Sequence, residues 1–152
     1  MMMSHAQIAG LVPHQGTMCL LETVESWDSR VVLCTAASHR DPNHPLRDDS
    51  MLPAVCGIEY AGQAIAVHCG LLAGNECDRP IGLLVAVREV TLAVERLDAV
   101  PDDLMIRAEK LIGQGGSLMY HFKVEAGNRE LISGRISVMI LSRSRMLGEP
   151  TT

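Results

Sequence analysis

Glu59 is the only charged side chain in the 22 residues from Leu52 to Ala73, which read LPAVCGIEYAGQAIAVHCGLLA. An ionised carboxylate in so apolar a segment costs several kcal/mol unless it is paired or protonated. Acid–base chemistry at a shifted pKa is the usual reason to keep one there, and a structural carboxylate is the plain alternative. Three features converge on it. Gln63 follows one helical turn later on the same face, where its amide can orient the carboxylate. A helix starting near Pro53-Ala54 leaves the amides of Ala54, Val55 and Cys56 without intrahelical acceptors, a ready site for a developing oxyanion. Two histidines precede the helix in proline-containing loops, His14 in Val-Pro-His-Gln-Gly and His44 in Asn-His-Pro-Leu. A histidine facing a carboxylate supplies a base and an acid with opposed pKa tendencies.

Other candidates carry less. Cys56 at the helix start has the placement of an activated thiol, but packing is its expected role. His5, His39, His68 and His121 lack a comparable setting, and His68 reads as a satisfied core or interface group. No GxSxG, P-loop, GxGxxG or HExxH pattern occurs. Gly113–Gly116 has no helix after it and reads as a turn.

Composition narrows the classes. A net charge of -5 with no block of basic residues, and an aromatic content of 3%, give no footing for nucleic acid or an anionic membrane. Five cysteines, an odd number with no CxxC pair, point away from a disulfide framework or zinc site and toward free thiols in a reducing cytoplasm. The start, MMMSHAQIAG, lacks the pattern of a signal peptide. Leu52–Ala73 is long enough to span a bilayer. Pro53, Glu59, Gln63 and His68 within it, and acidic flanks without a basic cluster, favour a buried helix over membrane insertion.

These residues need elements to hold them. At 152 residues the chain is expected to be one domain, 1–152, with a frayed tail from about residue 142. A short helix is expected over 4–11, ended by Pro13 and Gly16. Met18–Trp27 and Arg30–Ala37 read as strands joined by a tight Asp28-Ser29 turn, and 38–50 as loop. Asp49 or Ser50 would cap a helix over roughly 53–73, its small residues allowing close packing on nearly every side. Strands then follow at Ile81–Val90, Thr91–Arg96, Leu104–Ile112, Ser117–Ala126 and Leu131–Leu141, with Gly127-Asn128 a hairpin signal. This α+β order suits one curved antiparallel sheet wrapped around one buried helix, with open edges that dimerisation would pair.

The motifs HP…LP…GIEYAGQAIA, with the earlier VPHQGTMCLLETV, resemble the hot-dog fold β-hydroxyacyl-acyl-carrier-protein dehydratases over roughly residues 8–141. The likeness is to the branch associated with aryl-polyene and related fatty-acid-type clusters. It implies dehydration of 3-hydroxyacyl thioesters on an acyl carrier protein to trans-2-enoyl thioesters. The substrate rides on the carrier's phosphopantetheine, and no metal or redox cofactor is needed. Glu59 matches the family's helix carboxylate, Gln63 its glutamine, and Ala54 the glycine whose amide binds the thioester oxygen.

The family's catalytic histidine lies in a His-Phe-Pro-Gly motif, one residue nearer the carboxylate than His44, which stands fifteen residues before Glu59. Here position 45 is proline and the loop glycines are absent. His44 is the expected base and His14, matching the N-terminal motif, the reserve. In this reading His44 takes the C2 proton, the Ala54 amide holds the thioester oxygen, and Glu59, kept neutral by burial, protonates the departing hydroxyl. A hot-dog thioesterase, and an inert acyl-binding or accessory subunit of an active dehydratase, are the alternatives. A homodimer and a heterodimer with a related hot-dog subunit are both open.

Overall fold

Residues alternate between buried and half-exposed along Val31–Ala36 and along most of Ser117–Ala126. That is the signature of strands with one face on a core. The computed structural model describes residues 2–11, 16–74, 81–114 and 116–141. The elements are α1 (His5–Ala9), β1 (Thr23–Trp27), β2 (Val31–Ala36), α2 (Gly57–Ala73), β3 (Ile81–Leu92), β4 (Leu104–Gln114), β5 (Ser117–Ala126) and β6 (Arg129–Leu141). Short 3-10 turns occupy Gly16–Met18, Ser38–Arg40 and Ala54–Cys56. The six strands form one sheet in the order β1-β2-β4-β5-β6-β3, every neighbouring pair antiparallel.

The long helix α2 lies against this sheet, as the sequence indicates. Tyr60, Ala61, Ala64, Ile65, Val67 and His68 are buried with the inward side chains of β2, β4, β5 and β6, among them Val32, Ile106, Phe122 and Ile136. Each large aliphatic side chain so buried contributes about 1.5–3 kcal/mol. The expectation of packing on nearly every side is corrected along one stripe. Glu59, Gly62, Ala66, Gly70 and Ala73, spaced three or four apart, stay half-exposed. Ala54–Ala73 is long and apolar enough to cross a membrane by length and composition, and half of that span is buried inside the fold.

Several local expectations shift. The first helix is shorter than expected: Ser4 and Gln7 form a capping box and the helix closes at Gly10. Strand β1 begins at Thr23 rather than Met18, because Met18–Leu21 is held by side chains instead of a ladder. The hairpin to β2 turns through three residues, with the Asp28 carboxylate accepting the Arg30 and Val31 amides. Asp49 and Ser50 do not cap α2. Both have left-handed φ (49° and 64°) in a turn closed by mutual Asp48–Met51 backbone bonds, and no side chain caps the helix.

The break expected at Val90-Thr91 is a bulge inside one strand. Glu89 has φ 55°, and the register passes from Arg88↔Arg135 to Thr91↔Ser133 with one extra residue. The chain then leaves the sheet, so that 93–97 runs beside the start of α2. Gly127 and Asn128 (φ 55° and 66°) form a two-residue hairpin turn. A Cβ at Gly127 would also stand 2.6 Å from the Asp102 carboxylate, which would have to shift, so the positive φ is the main reason for glycine there. The tail from 142 and the loop with His14 lie outside the described residues.

Candidate active site

Glu59 sits in the first turn of α2 at the head of the half-exposed stripe. It is thus neither sealed in the core nor fully in water. The expected deep burial of this carboxyl is therefore corrected: it stands at an accessible edge of the helix. Burial first, and the carboxylate form of the neighbouring Glu59 second, push the Cys56 thiol up. Cys56 is consequently no activated thiolate, which agrees with a packing role.

Gln63 is fully buried and does not serve Glu59 as expected. Its Oε1 accepts the Leu20 amide at 2.8 Å and its Nε2 donates to the Met18 carbonyl at 2.6 Å. The side chain ties α2 to the segment that follows residues 12–15. Ala54 is also reassigned. Its amide donates to the Glu95 carbonyl at 3.0 Å, so it is not available to a thioester oxygen. The physical reason is the returning 93–97 segment, which also gives Leu97 N–H to Leu52 and bridges Pro53 with Arg96. Cys56 N–H is taken by Pro53. Among the described residues, the Val55 amide makes no backbone hydrogen bond outside its own turn, and Val55 is exposed. It borders a cleft of about 420 Å³ lined by Pro53, Ala54, Leu92 and Val94.

His44 is buried and faces Tyr60 rather than Glu59. Its Nε2 lies 3.1 Å from the Tyr60 hydroxyl, and its Nδ1 accepts the Leu46 amide at 3.1 Å. Because Nδ1 is an acceptor, the neutral ring carries its proton on Nε2 and donates to Tyr60. Burial, then Arg47, holds the imidazole below its usual pKa; the other charges acting on it are Asp41 and His39, not Glu59. With both nitrogens engaged, the expected role of His44 as the base facing Glu59 does not follow from this geometry. His44 does line a cavity of about 240 Å³ with His5, Cys19, Ser38 and Asp41. Tyr60 and Ser38 were not singled out in the sequence. The available signal was a tyrosine in the apolar helix, whose buried hydroxyl requires a partner.

A single antiparallel sheet on one long helix, with a carboxylate in the helix's first turn, defines a hot-dog protein. The chain belongs to the ApeP-like family, described as ApeP dehydratase, whose pattern it matches over residues 6–147. It is accordingly a dehydratase of the aryl-polyene branch, a lyase. Among solved structures it is similar to the dehydratase heterocomplex ApeI:P from Xenorhabdus doucetiae, with 23% identity, 93% of this chain and 95% of that one covered, and a TM-score of 0.80. AziG of S. sahachiroi follows at 13% identity, 80% and 91% coverage, and a TM-score of 0.61. A hypothetical thioesterase with coenzyme A from Streptococcus pneumoniae shows 12% identity, 78% and 84% coverage, and a TM-score of 0.59. At such identities these structures speak for the fold alone. No curated protein matches the chain.

Proposed function

We propose that the protein removes water from 3-hydroxyacyl thioesters presented on the phosphopantetheine arm of an acyl carrier protein, giving trans-2-enoyl thioesters for aryl-polyene-type biosynthesis. The observation that carries this reading is Glu59, the sole carboxylate of the central helix, at the head of its accessible stripe in an ApeP-like dehydratase. Glu59 acts in its protonated form: it gives that proton to the C3 hydroxyl as the C3–O bond breaks, and water leaves. The C2 proton goes to a histidine. His14 takes this role in preference to His44, whose ring nitrogens are engaged. The Val55 amide, in place of Ala54, is the donor at the helix start for the thioester oxygen. The step uses no metal or redox cofactor.

The whole chain is taken as one hot-dog domain working in the cytoplasm, in keeping with the free thiols of Cys19, Cys34, Cys56 and Cys69. The ApeI:P structure is a heterocomplex, which supports pairing of this chain with a related hot-dog subunit. The engagement of His44 favours a second reading, an accessory subunit whose partner supplies the chemistry.

The test is incubation of the protein, alone and with a hot-dog partner, with a 3-hydroxyacyl carrier, followed by intact mass. Loss of water is expected. Loss of the acyl group would indicate a thioesterase, and no change in either preparation would remove the enzymatic reading. Glu59→Gln should lower turnover at least about a hundredfold while the protein stays folded. Normal turnover in that variant would end its role as acid.

A further inference from the structure

The hydrogen bonds around His44 continue into a chain whose every proton can be assigned. The Ser38 hydroxyl lies 2.7 Å from the Tyr60 hydroxyl and donates to the Leu20 carbonyl at 2.8 Å. A carbonyl only accepts, so the Ser38 proton is committed there and Ser38 Oγ must accept from Tyr60 O–H. Tyr60 oxygen in turn accepts His44 Nε2–H, and His44 Nδ1 accepts Leu46 N–H. The chain starts at a backbone donor and ends at a backbone acceptor, so its direction cannot be reversed. Burial pushes the Tyr60 phenol up to about 12, which keeps its hydroxyl protonated as the chain requires.

The geometry points to His44, Tyr60 and Ser38 as a positioning set for Glu59, with His44 locked as the Nε2–H tautomer and taking no proton from substrate. This rests on the proposed role of Glu59. Tyr60 is the next residue along α2, so its side chain leaves the helix roughly 100° around the axis from that of Glu59. A phenol clamped at its hydroxyl fixes the rotation of the first helical turn, and with it the direction in which Glu59 projects. The same set reaches the Met18–Leu21 segment. Leu20 has its N–H held by Gln63 and its C=O held by Ser38, so one residue of the segment following 12–15 is gripped at both peptide groups. Two side chains of α2 three residues apart, Tyr60 through Ser38 and Gln63 directly, thus bind that segment and the carboxylate's helix into one frame.

Three variants and one spectrum test the assignment, in the preparation in which the parent is active. His44→Phe removes the donor to Tyr60, and Tyr60→Phe breaks the chain in the middle. Each should lower kcat roughly tenfold to a hundredfold with KM little changed, as expected for misdirected groups. His44→Gln keeps an N–H near the Nε2 position but cannot act as a base. It should restore kcat close to the parent and leave the histidine limb of the pH–rate profile in place. If His44→Gln is as inactive as His44→Phe and that limb disappears, His44 is the base and the inference fails. If all three variants turn over like the parent, the set positions nothing. Long-range proton–nitrogen correlation on the parent should show Nε2 protonated and Nδ1 bare at neutral pH, a result independent of how the variants fold. The opposite tautomer would overturn the lock. Glu59→Gln serves as the separate control. Full activity there removes the reading of Glu59 while the tautomer result still stands or falls by itself.

Discussion

Two buried histidine–tyrosine pairs sit at opposite ends of α2 and are wired in opposite senses. At the start of the helix, Leu46 N–H occupies His44 Nδ1, so the histidine donates to Tyr60. Toward its end, His68 Nε2 lies 2.7 Å from the Asp28 carbonyl and must donate to it, so Nδ1 accepts from the Tyr120 hydroxyl at 2.6 Å. Both rings carry their proton on Nε2, but they are turned opposite ways: His44 meets a backbone N–H with Nδ1 and its tyrosine with Nε2, whereas His68 meets a backbone C=O with Nε2 and its tyrosine with Nδ1. The rings differ too: His68 and Tyr120 meet edge-on at 87°, whereas His44 and Tyr60 are tilted at 35°. The far pair fastens the β1–β2 turn to the helix and, among the described residues, has no hydrogen bond to Glu59, Gln63 or His44. The near pair fastens the first turn, beside Glu59. Position along the helix, and not residue type, separates an anchor of the fold from a support of the chemistry.

The largest effect should come from removing one hydroxyl at each end. Tyr60→Phe and Tyr120→Phe each strip a buried partner from a histidine, a stability loss of about 1–3 kcal/mol in denaturant melts. Only Tyr60→Phe should also lower kcat under conditions where both variants are folded. Equal turnover in the two would erase the distinction between the ends.

A smaller effect should come from pH. Burial is the first cause holding His39, His44 and His68 below the usual 6.5. The unfolded chain therefore takes up these protons first as pH falls, and the stability they contribute is complete above about 6.5 and lost progressively below it. Melting temperatures from about pH 8 to about pH 5 should fall on the acid side of that value. Tyr120→Phe should make the fall shallower, because it removes a donor that favours the neutral His68 ring. An unchanged slope in that variant would contradict the wiring deduced for the far pair.

The smallest effect contrasts two glycines of α2. A Cβ at Gly57 would come within 2.0 Å of Ile132 Cδ1, and at Gly70 within 3.3 Å of the Leu11 side chain. Gly57→Ala should destabilise by about 1 kcal/mol, the crowding partly offset by helix propensity. Adding Ile132→Val, which deletes the crowded methyl, should recover part of that loss despite its own cost of about 0.5–1.5 kcal/mol. Gly70→Ala should be neutral or stabilising by up to about 1 kcal/mol. Equal destabilisation at both positions, read from chemical melts, would deny that the site end of the helix is the more tightly packed.

Much of the molecule was legible in the residues because local period and turn chemistry carry it. The apolar helix ending at Gly74, the strands after it, the Gly127-Asn128 turn, Glu59 as the one carboxylate and the likeness of GIEYAGQAIA to the dehydratases were all accessible from sequence. The α2 capping, the strand break at Val90 and the free Ala54 amide were not. Each depends on a partner distant in the chain: the 93–97 segment supplies the acceptor for Ala54, and the ladder with β6 carries β3 through its bulge. The histidines show the limit most clearly. Sequence could place His44 before the helix and His68 within it, but a tautomer is set by whichever backbone group lies opposite each nitrogen. Those groups belong to Leu46 in one case and to Asp28, forty residues away, in the other. Composition and spacing therefore determined the fold and the carboxylate. Tertiary contacts alone decided which amides are taken, which way each buried proton points, and that His44 faces Tyr60 instead of Glu59.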